Sequence, residues 1–129
     1  MCLEDILPGY VNQVMQSGAP ELLVNLTNDV WFGDSAEPAL HLALSKLRAV
    51  EHHRYLVRAT NNGVSAVIDP VGRVIAQSAS TGTETLLAEA RFLRGKTGYQ
   101  RWGDIPWYLF TLVIAGMAIV PWRRARSRS

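Results

Sequence analysis

The sequence predicts an α/β layered domain with a mixed sheet over residues 1–104. One membrane-spanning helix follows over 105–122, then a basic tail over 123–129. Three observations carry this prediction. Stretches of helical and strand periodicity alternate along the body, the pattern of layered α/β domains. Asp69-Pro-Val-Gly72 sits between two β-branched runs, a hairpin signature. Ile105 to Trp122 carries no charge and is followed at once by arginines.

Taken in order, Leu3 to Ser17 has apolar residues at Ile6, Leu7, Tyr10 and Val14. It reads as a short helix after a turn at Pro8-Gly9, ending near Gly18. Glu21 to Thr27 is a short apolar run with the look of a buried strand. Asn28 to Gly33 is a loop of turn formers and aromatics. Asp34 or Ser35 is placed to cap the next helix, with Glu37 in its first turn. That helix runs from about Pro38 to His53, with Leu40, Leu44, Leu47 and Val50 as its apolar face.

Tyr55 to Thr60 reads as a strand and Asn61-Asn-Gly63 as a turn. Val64 to Ile68 and Arg73 to Gln77 form the hairpin. Thr81 to Thr83 is a turn, and Thr85 to Ala90 reads as a last strand. Arg91 to Asp104 is a polar connector. Only about 100 residues of body supply neighbours for the buried-type first strand, so the sequence suggests half a domain. On this reading the first strand and the hairpin both lack sheet partners, and the chain is expected to be poorly stable alone.

The terminal segment would rise roughly 27 Å as a helix, close to a hydrocarbon core of about 30 Å. Pro106 suits a first turn, and Trp107, Tyr108 and Trp122 lie at the ends, where amphipathic rings favour the interface. Arg123, Arg124, Arg126 and Arg128 place the tail in the cytoplasm by the positive-inside rule, with the body on the opposite side. Thr111 and Ala115 form a small-residue pair of the kind that packs against another helix.

With 129 residues the chain fits one modest domain. Its formal charge is +2, but without the four tail arginines nine basic residues face eleven acidic ones. The basicity belongs to the tail, and a nucleic-acid partner is not expected. The single cysteine, Cys2, excludes an intrachain disulfide. Met1 to Gly9 lacks the basic and apolar regions of a signal peptide, so a body outside the cytoplasm implies an upstream segment that carried it there.

Cys2 is a candidate nucleophile, since a thiolate is the strongest nucleophile among ordinary side chains once a base or cation activates it. Glu4 stands near enough in sequence to orient a partner or take a proton. The competing reading of Cys2 is a small buried hydrophobe. His41, His52 and His53 do not make a metal site: adjacent histidines diverge on a helix, and eleven residues separate His41 from His52. They are expected to face solvent or cap the helix. Asn25, Asn28 and Asp29 close a buried-type strand, where pockets of α/β folds commonly form, and Trp31 and Phe32 offer an apolar wall. A well-packed turn is the alternative. No zinc spacing and no glycine-rich phosphate loop occur, so no metal or cofactor is expected.

Several of these segments together resemble one family. Cys2-Leu-Glu4-Asp5, Leu23-Val-Asn-Leu-Thr-Asn-Asp-Val-Trp-Phe-Gly33, His41-Leu-Ala-Leu44, Arg48-Ala-Val-Glu51, Arg58-Ala-Thr-Asn-Asn-Gly-Val64 and Asp69-Pro-Val-Gly72 are similar, in this order, to the apolipoprotein N-acyltransferases. These are membrane-embedded members of the carbon–nitrogen hydrolase (nitrilase) superfamily. The resemblance extends over essentially the whole chain. It implies the C-terminal half of a nitrilase-type αββα sandwich followed by one transmembrane helix, in the bacterial inner membrane with the body periplasmic and the C-terminus cytoplasmic.

The resemblance also implies a Glu–Lys–Cys triad and ping-pong acyl transfer. The cysteine takes an acyl chain from a phospholipid donor as a thioester, and the N-terminal amine of a diacylglyceryl-modified lipoprotein opens it. The nucleophile maps onto Cys2 and the glutamate after it onto Glu4. Leu3 stands where the family commonly has an aromatic. The triad Glu and Lys lie upstream in the family; Lys46 and Glu51, on the later helix, are not substitutes. The chain is therefore expected to be an inactive C-terminal fragment by itself. Two other readings stay open: a nitrilase-like amidase with a membrane anchor, and an anchored remnant without activity.

Overall fold

The computed structural model describes residues 3–28, 30, 35–61, 63–79 and 84–126, with side chains from Glu4 to Ala118. A 3-10 turn, Leu3–Ile6, leads into helix α1, Pro8–Gly18. Pro8 opens α1 rather than forming a turn before it, because its fixed φ and missing N–H suit a first helical position. Val11 and Met15, four residues apart on one face, enter the core. Ala19 ends the helix in the left-handed region, φ 43°, with its N–H donating to the Met15 carbonyl.

Strand β1, Leu23–Asn28, buries Leu23, Asn25 and Thr27 and exposes the residues between them. Helix α2, Glu37–His52, returns the chain to β2, Leu56–Asn61, which runs parallel to β1. A parallel pair needs such a crossover, and α2 supplies it. Strands β3, Ala66–Ile68, and β4, Val74–Gln77, complete a four-stranded sheet in the order β1-β2-β3-β4, with both later pairings antiparallel. The mixed sheet matches the sequence reading. The expectation that the first strand and the hairpin lack sheet partners is corrected: β1 pairs along the whole of β2, and β3 pairs along its other edge, with Arg58 opposite Ala66 and Leu56 opposite Ile68.

The Asp69–Gly72 turn forms as predicted. Asp69 Oδ1 accepts from the Val71 and Arg73 N–H groups at 3.0 and 2.8 Å, and Gly72 adopts φ +84°. Burial pushes the Asp69 carboxyl upward, but these N–H bonds and the Arg73 guanidinium outweigh it and hold the group below its ordinary value.

Helix α2 corrects a second expectation. Its predicted apolar face is mostly outside: Leu40, Leu47 and Val50 are about half exposed. The buried side is His41, Leu42, Ser45, Arg48, Ala49 and His52. At its N-terminus Ser35 Oγ accepts the Glu37 N–H at 3.3 Å, while Asp34 lies outside the described residues. His53 is the left-handed residue past the C-terminus, φ 50°.

No strand forms over Thr85–Ala90. Leu87 is 97% exposed while Leu86, Ala88 and Ala90 are half-buried, and the segment lies along the body without joining a ladder. It is tied down further along. Leu93 N–H donates to the Glu21 carbonyl at 3.0 Å, and Arg94 pairs with Glu21. Arg54, itself buried, donates to the carbonyls of Pro20, His52, His53 and Gly95.

The polar connector contains a helix, α3, Gly98–Trp102. Thr97 and Gln100 make a reciprocal capping box at its start. Helix α4, Ile105–Arg126, begins where predicted and continues past Trp122 to Arg126. Its side chains from Ile105 to Ala118 are all exposed, so no other described element covers them. Among the described residues no helix is long and apolar enough to cross a membrane.

Candidate active site

The sequence placed the chemistry at Cys2, Glu4, Asn28, Trp31 and Phe32. Cys2, Asp29, Trp31 and Phe32 lie outside the described residues. Glu4 is exposed in the 3-10 turn. Asn28, at the end of β1, is exposed, and its Oδ1 accepts the Val30 N–H at 3.2 Å. Asn25 is not a pocket wall. It is wholly buried, and its side chain binds the residue around which the site is built, Asp5.

Asp5 is 1% exposed, on the turn that follows Cys2. Its carboxylate gathers groups from three elements. Asn25 of β1 donates to Oδ2, Ser45 of α2 donates to the same oxygen, and His41 of α2 stands 2.9 Å from Oδ1. His41 thus presents Nε2 to this carboxyl group from the same helix face as Ser45. Arg58 of β2 donates to Ser45 Oγ at 3.0 Å and has Nη1 3.6 Å from Asp5 Oδ2.

Local geometry explains the convergence. Residues 41 and 45 are one helical turn apart and share a face of α2. Asn25 and Arg58 are register partners on the buried face of the parallel pair. Ala66, the register partner of Arg58 on β3, is small and buried. Buried charges persist when paired and hydrogen-bonded, and this cluster supplies both conditions.

The cluster is not a serine-hydrolase relay. Such a relay needs the hydroxyl bonded to the imidazole. Ser45 Oγ instead donates to Asp5 and lies 2.9 Å from the His41 backbone carbonyl. The arrangement fixes the 3-10 turn, and with it the segment carrying Glu4, on the sheet and α2.

Histidines 41 and 52 correct the expectation of solvent-facing or capping side chains, since both are buried. His52 lies edge-on to Tyr99, ring centroids 5.9 Å apart. Burial, then the Arg48 and Arg54 charges, lower its pKa from the usual 6.5 to about 4. Beside it Arg48 donates to Glu51 at 2.7 Å. Burial raises the Glu51 pKa, Arg48 opposes the rise, and Asp104 adds to it.

Asp5, Ser45 and Arg58 were missed as site residues. The available signal was a second stripe on α2, with polar residues at 41, 45, 48 and 52 at helical spacing. The leucine stripe beside it dominated the reading.

The carbon–nitrogen hydrolase family model matches residues 1–93. Among curated proteins, the chain is similar to an apolipoprotein N-acyltransferase of Vibrio cholerae serotype O1, 41% identical over 99% of this chain and 25% of that protein. It is also similar to one of Nitrosomonas europaea, 43% identical over 81% of this chain and 20% of that protein. Apolipoprotein N-acyltransferase 2 of Leptospira interrogans serovar copenhageni is 39% identical over 87% of this chain and 20% of its own length. The chain thus spans about a quarter or less of these relatives. The family match takes in the 3-10 turn, both helices of the body and all four strands, and on it the chain belongs to the carbon–nitrogen hydrolase family.

Proposed function

We propose that this chain is the nucleophile-bearing part of an apolipoprotein N-acyltransferase. The observation that carries the reading is similarity to proteins of that name along nearly the whole chain, through the segment after Cys2 that Asp5 anchors. Cys2 attacks the ester carbonyl of a phospholipid, releases the lysophospholipid and holds the acyl group as a thioester. The N-terminal amine of a diacylglyceryl-modified lipoprotein attacks that thioester, forms the amide and frees the thiol. Glu4 assists at the same site, and Asn28, Trp31 and Phe32 line the pocket. The chain covers about a quarter of its relatives, and in this reading the triad Glu and Lys lie in the remainder, on which activity depends.

Helix α4 is the membrane anchor in this reading. Support comes from the uncharged run Ile105–Trp122 within the 22-residue helix Ile105–Arg126, and from apolar side chains, Ile105 to Ala118, that no described element covers. Its basic end lies in the cytoplasm and the body in the periplasm of a bacterial inner membrane. The sheet is then one half of an αββα sandwich. Val24 and Leu26, exposed on the face away from the helices, are the surface a second sheet would cover.

The test is acyl transfer in the intact protein carrying this segment, with a labelled phospholipid and a diacylglyceryl peptide. A labelled thioester at Cys2, lost in Cys2→Ser together with transfer, is the expected result. Transfer that survives Cys2→Ser, or hydrolysis of small amides in place of transfer, overturns the reading.

A further inference from the structure

We infer that Asp5 is a positioning residue for the acyl transfer proposed above, with Arg58, Ser45 and Asn25 as its receptor. The inference rests on that reading of Cys2 and Glu4. Nothing in the mechanism itself calls for a second acid after Glu4. Yet Asp5 is the most deeply buried carboxylate described, and its partners come from β1, β2 and α2.

The geometry says what the carboxylate does. Adjacent residues on a tight 3-10 turn point in different directions. Here Glu4 faces solvent while Asp5 faces the interior. Fixing Asp5 at Oδ1 by His41 and at Oδ2 by Asn25 and Ser45 removes rotation of the side chain and roll of the turn. Cys2 precedes Asp5 by three residues in sequence, a length that extended chain spans in at most about 11 Å. The Arg58 charge, 2% exposed, makes the docking selective for an anion: an uncharged residue at position 5 would take the carboxylate away from a buried guanidinium 3.6 Å off.

Asp5 thus sets the direction of the segment on which the thiol and Glu4 sit, without touching substrate. A shift of about 1 Å in a reacting group lowers rate by about 100-fold while leaving substrate binding largely intact.

The experiment uses the intact acyltransferase carrying this segment, with kcat and KM for thioester formation from labelled phospholipid and the melting temperature of each variant. Asp5→Asn is expected to lower kcat about 100-fold and leave KM within about twofold. The exchange Asp5→Asn with Asn25→Asp keeps an amide–carboxylate pair and an anion beside Arg58. It is expected to recover about tenfold of the lost kcat. Ser45→Ala removes one bond to Asp5 and is expected to cost about 5- to 10-fold in kcat, which keeps the question open to measurement if Asp5→Asn fails to fold.

Asp5→Asn or Ser45→Ala with near-normal kcat overturns the positioning role. So does a loss of activity that only follows the melting temperature, or an exchange that recovers nothing. Cys2→Ser separates this from the wider reading: transfer that persists there overturns the acyl-transfer mechanism and the positioning role together, whereas normal Asp5→Asn activity overturns the positioning role alone.

Discussion

Gln16 donates its side-chain N–H to the Gln100 backbone carbonyl at 2.8 Å, joining residues 84 apart in sequence. The bond fastens α3 to α1, and Thr97 Oγ1, donating to the Glu51 carbonyl at 2.6 Å, fastens the same short helix to α2. A five-residue helix has no stability of its own. It persists because it is capped and docked, and it delivers the chain to α4 at a fixed place beside α1.

Thr97→Val is therefore expected to unfasten α3. It removes the bond to Glu51 and half of the capping box, a loss of about 1–2 kcal/mol locally. Hydrogen exchange should rise over residues 97–104 while β1 and β2 keep their protection. Uniform loss of protection would contradict local docking.

His52 makes stability sensitive to mild acid. Its folded pKa, about 4, lies below the usual 6.5, so between these values the unfolded chain takes up a proton that the folded chain refuses. Stability is then full above pH 6.5 and falls as pH drops through this window, by roughly 1–2 kcal/mol at pH 5. His52→Phe keeps an aromatic against Tyr99 and removes two ring nitrogens that make no hydrogen bond among the described residues, Nε2 standing 4.0 Å from Glu51 Oε2. Denaturant unfolding at pH 7 and pH 5 should give a smaller difference in the variant; an unchanged difference would assign the acid sensitivity elsewhere.

Gly72 tolerates no side chain. At φ +84° a Cβ would be strained, and it would stand 2.9 Å from Val50 Cγ2. Gly72→Ala is expected to destabilise the domain by about 1–3 kcal/mol. The companion Val50→Ala with Gly72→Ala relieves the clash and leaves the strain, so a thermal melt of the double variant should recover part of the loss. No recovery would place the whole cost in the backbone.

Arg54 holds down the segment that forms no strand. Arg54→Met leaves four carbonyls without their charged donor and is expected to cost about 3 kcal/mol. Limited proteolysis should then cut first near Gly95; cleavage elsewhere first would show that the segment is held by other contacts.

Much of the architecture was legible because it is written in local chemistry. The left-handed Gly72 and the Asp69 side chain make the hairpin turn through their own bonding. The strand Thr85–Ala90 was misread for the converse reason. Its composition suits a strand, but a strand exists only as a ladder, and among the described residues none pairs with it. The buried cluster at the candidate site was not legible in the sequence. Asp5 and Arg58, 53 residues apart in number, form a pair only through the sheet and α2.

By itself the sequence determined the order of elements from α1 to β4, the hairpin, where the terminal helix begins, and the resemblance on which Cys2 is proposed as nucleophile. Tertiary structure decided which side of α2 is inside. The sheet presents Asn25 and Arg58 to that helix, and buried polar groups must be met by polar groups, so His41 and Ser45 turn inward and Leu40 and Leu47 turn out. Hydrophobic periodicity measures one segment's preference for burial. Which face is buried depends on the partner surface, and that surface comes from residues distant in the chain.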